Sequence, residues 1–182
     1  MRLRDFQPFN KVSSLTLGGG GIGQVWGQTT KKESIKTVHY ALDHGINHFD
    51  VAPMYGKGEA ERVVGVSLGG INKDNLFFTT KCQLGTLPDN QVYEKLNASL
   101  AQSLKNLALE KVDLFLLHSQ LIEDEFKLFK FNEFKEKSTT TLSCFFNSVI
   151  PAFERLQKEG KIDHWGLGGL GQEEAIIKAL DH

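Results

Sequence analysis

The sequence predicts an α/β fold, an incomplete TIM-type (β/α) barrel of about five βα units with a short N-terminal segment. Short apolar runs alternate with helical periodicities through most of the 182 residues, which is typical of βαβ units that build a parallel sheet. A closed eight-stranded barrel takes about 250 residues, so the length allows about five of its eight units. We therefore expect one partial barrel domain over residues 1–182.

Five apolar runs are predicted to be the strands. They are Leu15–Gly18, Ile46–Asp50, Leu76–Lys81, Val112–Leu117 and Ile162–Leu167. Their apolar character suits a parallel sheet that is covered on both faces. The residues before the first run are predicted to form a hairpin that plugs the floor of the barrel.

Helical periodicity occupies the connections between these strands. From Ile35 to Leu42 the spacing i, i+3, i+4 and i+7 gives the segment Lys31–His44 one packing face, and Gly45 ends it. Pro88 and Asp89 precede the third helix, and Gly160 follows the fourth. The other predicted helices are Ala60–Leu68, Asn90–Leu107, Ser143–Glu159 and Gln172–Leu180.

The connection 119–142 is too long for an ordinary loop and is predicted to be an insertion or lid after the fourth strand. Long connections in compact domains are usually lids or binding loops. Its aromatic residues could form an apolar wall beside a substrate or could cover the barrel rim. They are Phe126, Phe129, Phe131 and Phe134.

The charge balance excludes an electrostatic footprint for nucleic acid or an anionic membrane. The chain has 21 basic and 22 acidic residues without a long block of one sign. No apolar stretch approaches the roughly 18 residues that cross a bilayer, and the N-terminus lacks a signal-peptide pattern. Cys82 and Cys144 have no CxxC spacing and are expected to be packing residues. We expect a cytoplasmic protein with a small-molecule partner.

Four polar residues follow three successive predicted strands. Asp50 and Tyr55 come after the second strand, Lys81 ends the third, and His118 follows the fourth. Because the carboxyl ends of barrel strands share one face, and active sites are built there, these side chains should converge. Taken singly, each would more commonly be a cap, a solvated charge or a satisfied polar group.

This set of side chains suits the reduction of a carbonyl group. Hydride addition to carbon leaves charge on oxygen, which must be stabilised and protonated. A neighbouring ammonium, here Lys81, favours the phenolate of a tyrosine and helps Tyr55 to act as an acid. Asp50 would hold Lys81 protonated and oriented, and His118 could donate a hydrogen bond to the carbonyl oxygen.

The run HFDVAPMYGKGEAERVVG at 48–65 resembles the signature of the aldo-keto reductases, with an Asp at the strand end and a Tyr five residues later. LFFTTK and DLFLLH resemble the strands that carry that family's lysine and histidine, and GKIDHWGLGGL resembles its fifth-strand segment. The resemblance implies the catalytic tetrad Asp50, Tyr55, Lys81 and His118. It also implies a nicotinamide cofactor, NADP or NAD, and a small carbonyl substrate.

The predicted cofactor contacts depart from that family's pattern. Gly168 and Gly169 stand where the family commonly has a Ser-Asn pair for the nicotinamide carboxamide, so they offer only backbone. The family's phosphate-binding loops follow its seventh and eighth strands, which this chain lacks. Gly20, within the run GGGGIG, is expected to let the backbone approach a ligand at the barrel mouth beside Trp26, the predicted substrate contact.

Three other interpretations were considered. GGGGIG matches the dinucleotide fingerprint of a Rossmann dehydrogenase, but QVWGQTTKKE follows it where a helix should begin. A metal-dependent hydrolase would need clustered ligands, and no HxH or HxxxH spacing occurs. A non-catalytic remnant or binding subunit that keeps the tetrad would also fit the short length.

The open sheet predicts a chain that is marginally stable, molten or self-associated through its open edges rather than a rigid monomer. Leu15–Gly18 and Ile162–Leu167 would be unpaired edges of a sheet whose strands are apolar on both faces.

Overall fold

The computed structural model describes residues 1–125 and 137–181. The predicted apolar wall falls on residues outside this range. Its members are Phe126, Phe129, Phe131 and Phe134.

The N-terminal segment forms the expected hairpin, with β1 (Leu3–Phe6) antiparallel to β2 (Phe9–Ser13). Phe9 is buried, and its ring centroid lies 5.3 Å from that of Phe77 and 5.8 Å from that of His164. Phe77 and His164 belong to two strands of the main sheet that are separated by one other strand, so the hairpin packs across the lower end of the sheet. The floor-plugging prediction is confirmed.

The main sheet has five parallel strands in sequential order. They are β3 (Leu17–Gly18), β4 (His48–Asp50), β5 (Phe77–Cys82), β6 (Val112–Leu117) and β9 (Ile162–Leu167), paired β3-β4-β5-β6-β9. A doubly wound dinucleotide-binding sheet reverses its strand order at a switch point. The sequential order observed here is that of a (β/α) barrel and excludes the Rossmann arrangement.

The predicted strand bounds agree best at β6 and β9, which are identical to the prediction. The predicted strand Leu15–Gly18 is shorter in the structure because the Ser13 hydroxyl donates to the Leu15 carbonyl at 2.6 Å and turns the chain before Leu17. The second strand begins late because the Asn47 side chain accepts a hydrogen bond from the Ser13 amide at 2.7 Å. Residues that the apolar pattern assigned to the sheet are therefore hydrogen-bonded to the hairpin instead.

Helices cover the outer face of the sheet, close to the predicted bounds. They are α2 (Lys31–Asp43), α3 (Glu59–Ser67), α4 (Asp89–Leu107), α5 (142–158) and α6 (Glu173–Leu180). A capping box starts α2, in which the Glu33 amide donates to Thr30 Oγ1 and the Thr30 amide donates to Glu33 Oε2. Two helical features were not predicted, a π-helical turn at Phe145–Val149 within α5 and the one-turn helix α1 (Gly19–Ile22).

The structure describes both ends of the insertion. Its first residues form β7 (Gln120–Ile122), which pairs in parallel with β8 (Thr139–Thr141) near its end. Leu121 also bridges to Gly171, just after β9. The described ends of 119–142 are therefore tied together beside the carboxyl end of the sheet.

The core lies between the sheet and its helices. Phe49, Phe115 and Leu117, which point outward toward the helices, are completely buried. Leu114 and Leu116 alternate with them and face the other side, where they are only half-buried. The inner face, which a closed barrel would fill with side chains, is thus partly open.

We expect a polypeptide of these 182 residues to self-associate. Within the described residues β3 and β9 are edge strands, and the half-open inner face adds apolar surface to their unpaired backbone groups. Size-exclusion chromatography with light scattering should show species larger than a monomer. A monodisperse monomer that unfolds cooperatively above about 55 °C would contradict this prediction.

Candidate active site

The strand register brings the predicted tetrad residues to one face of the sheet. Asp50 is aligned with Thr79, two residues before Lys81, and Lys81 is aligned with Leu116, two residues before His118. Because side chains two residues apart on a strand point the same way, Asp50, Lys81 and His118 all face inward at the carboxyl end. The expected convergence is observed.

Lys81 is the centre of this cluster. Its side chain is only 6% exposed, and Nζ donates to Asp50 Oδ1, to the Val51 carbonyl at 3.1 Å and to Tyr55 Oη at 3.3 Å. An ammonium has three N–H donors, and here each has an acceptor. The buried charge is therefore paired and fully hydrogen-bonded.

The Tyr55 ring lies between this lysine and His118. The Tyr55 and His118 ring centroids are 6.0 Å apart with perpendicular planes, and Lys81 Nζ is 4.8 Å from the Tyr55 centroid. Tyr55 therefore contacts Lys81 and lies edge-on to His118, and both Lys81 and His118 line one cavity.

The glycine run positions Tyr55. A Cβ atom on Gly19 would meet Tyr55 Cδ2 at 3.0 Å, and one on Gly23 would meet the Tyr55 carbonyl oxygen at 2.8 Å. Gly56 has φ +67°, and a Cβ there would collide with the Gly23 carbonyl. The run GGGGIG lets helix α1 pack directly on the loop that carries Tyr55, a role that its dinucleotide-like pattern did not suggest.

Gly20 and Trp26 contact each other. A Cβ on Gly20 would meet Trp26 ring atoms at 2.8 Å, while 82% of Trp26 is exposed. Trp26 lines a cavity of about 250 Å³ with residues that include Thr29 and Thr37. This cavity is separate from the one that contains Lys81 and His118. The predicted ligand contacts of Gly20 and Trp26 remain predictions.

Gly168 and Gly169 lie beside His118, in the exposed loop after β9. The Gly168 amide donates to the Leu117 carbonyl at 2.9 Å, and a Cβ on Gly168 would meet that oxygen at 3.0 Å. Gly169 has φ +68°, and a Cβ there would meet no atom within 4 Å. The loop therefore approaches the strand end closely at Gly168 and leaves open space at Gly169.

Ser119 is a structural contributor that the sequence analysis missed. Its buried hydroxyl accepts hydrogen bonds from the Leu84 amide at 2.9 Å and the Gly85 amide at 3.2 Å. These bonds fix the loop after β5 to the residue that follows His118. A small hydroxyl residue directly after a strand end was the only available signal.

Burial lowers the pKa of His118 below its ordinary value of 6.5, and the Lys81 ammonium lowers it further. Burial also lowers the pKa of His48, whose ring nitrogens are hydrogen-bonded to the hydroxyls of Thr16 and Thr79. Asp50 opposes both shifts by favouring the charged imidazole. At neutral pH both rings are therefore uncharged, and His118 can serve as a neutral hydrogen-bond donor.

We expect the free energy of unfolding to decrease as the pH falls below 6.5. The folded-state pKa of His48 and of His118 is lowered, so the unfolded chain binds more protons in that range and folding loses stability. Urea unfolding at pH 7.5 and 5.5 measures the effect. In the double variant His48→Gln, His118→Gln, the free energy of unfolding should differ less between the two pH values than in the unmodified protein. The control His44→Gln, at the exposed end of α2, should keep the difference of the unmodified protein. An unchanged difference in the double variant would contradict the assignment.

The described part of the chain has neither a metal-binding cluster nor a membrane-spanning helix. Residues 1–125 and 137–181 contain no group of three or more His, Cys, Asp or Glu side chains arranged to hold a metal ion. No helix in this part of the chain has the length and apolar character needed to cross a bilayer. Both cysteines, Cys82 and Cys144, are free.

Known proteins resemble this chain along most of its length. L-galactose dehydrogenase of Arabidopsis thaliana is 29% identical over 162 residues, which cover 88% of this chain and 46% of that protein. Aldo-keto reductase YhdN of Bacillus subtilis (strain 168) is 36% identical over 115 residues, which cover 59% of this chain and 34% of that protein. The chain therefore spans between about a third and about half of these relatives.

Solved structures show the same fold. An aldo/keto reductase from Klebsiella pneumoniae, in complex with NADP and acetate, superimposes with a TM-score of 0.68 at 23% identity, covering 100% of this chain and 53% of that chain. This likeness confirms the predicted incomplete TIM-type barrel. The model of the aldo/keto reductase family matches residues 14–180, and the chain belongs to that family.

Proposed function

We propose that this chain carries the catalytic site of a reductase that uses NADPH or NADH to reduce a small aldehyde or ketone, with Tyr55 as the proton donor. One observation carries the proposal, the contact between the buried Lys81 ammonium and Tyr55 Oη at 3.3 Å. A buried ammonium at this distance stabilises the negative charge that develops on the phenol oxygen as its proton is transferred.

Tyr55 and His118 would hold the carbonyl oxygen between them. The phenol donates a hydrogen bond and, as negative charge develops on the oxygen, transfers its proton. The neutral His118 donates a second hydrogen bond to the same oxygen and stabilises that charge. Lys81 stabilises the phenolate that remains, and Asp50 holds the ammonium in place.

The hydride comes from a nicotinamide cofactor when one is bound. The open space at Gly169, next to His118, fits a flat ring approaching the mouth of the sheet. Gly168 and Gly169 would face the nicotinamide, and Gly20 with Trp26 would lie on the opposite side of Tyr55. The structure of the Klebsiella pneumoniae relative is described as a complex with NADP, which favours the same cofactor here.

The free cysteines and the balanced surface charge agree with a cytoplasmic enzyme acting on a diffusible small molecule.

The test is consumption of NADPH or NADH, followed at 340 nm, with short neutral aldehydes such as butanal and glyceraldehyde. Carbonyl-dependent oxidation of the cofactor with formation of the alcohol supports the proposal. Absence of turnover with every aldehyde would favour the second interpretation, a non-catalytic binding protein that keeps the tetrad.

A further inference from the structure

The cavity beside Lys81 and His118 has a cationic lining. It measures about 370 Å³, and three of its nine lining residues are lysines, Lys57, Lys81 and Lys95. No carboxylate is among the nine, and the other polar lining includes Gln83 and Ser99. A cavity of this size is suited to a small molecule.

Two of the three lysines have no counterion among the residues that the structure describes. Lys81 is paired with Asp50, but within residues 1–125 and 137–181 no carboxylate oxygen lies within 4.0 Å of the amine of Lys57 or Lys95. Other lysines of the chain do find such partners, as Lys111 does with Asp163. The two free ammonium groups give the cavity a net positive charge next to the tetrad.

The backbone holds Lys57 at the cavity in an unusual conformation. Lys57 has φ +53° and lies between Gly56 and Gly58, which also have positive φ. Its carbonyl accepts a hydrogen bond from Arg62 Nη1 at 3.2 Å. A non-glycine residue in the left-handed region is uncommon and costs conformational energy, and such positions cluster at ligand sites.

Lys95 lines the same cavity from a different element of the fold. It lies on α4, one helical turn before Ser99, so the two side chains share a helix face. The loop after β4 and helix α4 therefore each contribute one unpaired lysine, on two sides of a space that leads to Lys81 and His118.

We propose that the carbonyl substrate carries an anionic group, a carboxylate or a phosphate, and that Lys57 and Lys95 bind this group while the carbonyl lies at Tyr55 and His118. The inference rests on the proposed reductase function. Lysine ammonium groups form charge-assisted hydrogen bonds with both kinds of anion, and a cavity without carboxylates does not repel them.

The experiment compares matched substrates that differ in charge. Pentanal and 4-oxobutanoate test a carboxylate, and glyceraldehyde and glyceraldehyde 3-phosphate test a phosphate. We expect kcat/KM of the unmodified protein to be higher for at least one anionic member than for its neutral partner. In Lys57→Gln and Lys95→Gln, the anionic-to-neutral ratio should fall about fivefold to tenfold, as expected for partly exposed charged hydrogen bonds.

Two kinds of control variant test whether the change in the anionic-to-neutral ratio comes from the charges of Lys57 and Lys95. Lys105→Gln removes a lysine from the same helix α4 outside the cavity and should leave the ratio unchanged. Lys57→Arg and Lys95→Arg keep the charge and should retain most of the preference. An equal preference for charged and neutral substrates in the unmodified protein would overturn the inference. So would a rise in the KM for NADPH alone in the Gln variants, which would assign the lysines to the cofactor.

A cofactor-independent measurement separates this inference from the proposed function. Titration calorimetry with 4-oxobutanoate and with inorganic phosphate should show binding that the double variant Lys57→Gln, Lys95→Gln loses. If no substrate is turned over but this difference is seen, the reductase function fails while the anion site stands. If neutral aldehydes are reduced but neither anion binds, the anion site is wrong and the reductase function stands.

Discussion

Replacement of Tyr55 by Phe is expected to lower kcat for carbonyl reduction by about 10²-fold or more, in the usual range for loss of an acid catalyst. The substitution removes only the hydroxyl, which lies 3.3 Å from Lys81 Nζ, and keeps the ring that packs beside Gly19 and His118. Because the ring still fills its place, the fold and cofactor affinity should persist. Steady-state kinetics with a neutral aldehyde measures the loss.

Tyr93→Phe is the matched control for this variant. The Tyr93 hydroxyl donates to Glu159 on the outer surface and takes no part in the tetrad. The same chemical deletion there should leave kcat within a factor of about two, since surface substitutions usually change little. If Tyr55→Phe turned over carbonyl substrate as fast as Tyr93→Phe, another group would have to donate the proton.

Removing Lys81 and removing Asp50, the two members of one ion pair, should have different effects on kcat and on the free energy of unfolding. Lys81→Met deletes the buried ammonium and is expected to lower kcat by about 10²–10³-fold, the scale for losing one electrostatic contact to the transition state. Its effect on stability should be small, because the remaining Asp50 carboxylate is 39% exposed and can be hydrated. Asp50→Ala instead leaves the Lys81 ammonium, whose side chain is only 6% exposed, without its counterion.

We therefore expect Asp50→Ala to destabilise the fold by about 2–3 kcal/mol, somewhat less than for a fully buried pair because the Val51 carbonyl and Tyr55 still accept hydrogen bonds from Lys81. Urea unfolding of both variants, with kinetics on each, measures the contrast. Asp163→Ala removes the acidic half of the exposed Lys111–Asp163 pair and should cost less than about 1 kcal/mol. Equal destabilisation by Lys81→Met and Asp50→Ala would contradict the assumed asymmetry.

The pattern of apolar runs predicted the bounds of β6 and β9 as the structure has them, although the inner face of these strands is only half-buried. The bounds of β6 and β9 agree because Phe115 and Leu117 are packed under helices and the strand ends coincide with the ends of the apolar run. The first strand was predicted too long because the Ser13 hydroxyl donates to the Leu15 carbonyl, so the strand begins only at Leu17. The spacing of apolar residues along the sequence cannot predict hydrogen bonds between the hairpin and the strands.

The convergence of Asp50, Lys81 and His118 also follows from sequence, since parallel strands place their carboxyl ends on one face. The detailed site does not. The spacing of the glycine run suggested a contact to a ligand, whereas the structure uses Gly19 and Gly23 to pack α1 against Tyr55. Lys57 and Lys95 are 38 positions apart in an unremarkable polar background, and only folding places both on the same cavity.

Three features follow from the amino-acid sequence alone, because they depend on local periodicity and on the geometry of βα units. They are the order of the parallel strands, the helices between them and the face on which the polar strand ends meet. Tertiary structure alone decided which polar groups are paired. Glu61 illustrates the difference, since it begins as a charged residue of an amphipathic helix but is completely buried, accepting hydrogen bonds from Thr80 and Asn106. A buried charge is stable only when distant residues supply its partners, and those partners exist only in the folded chain.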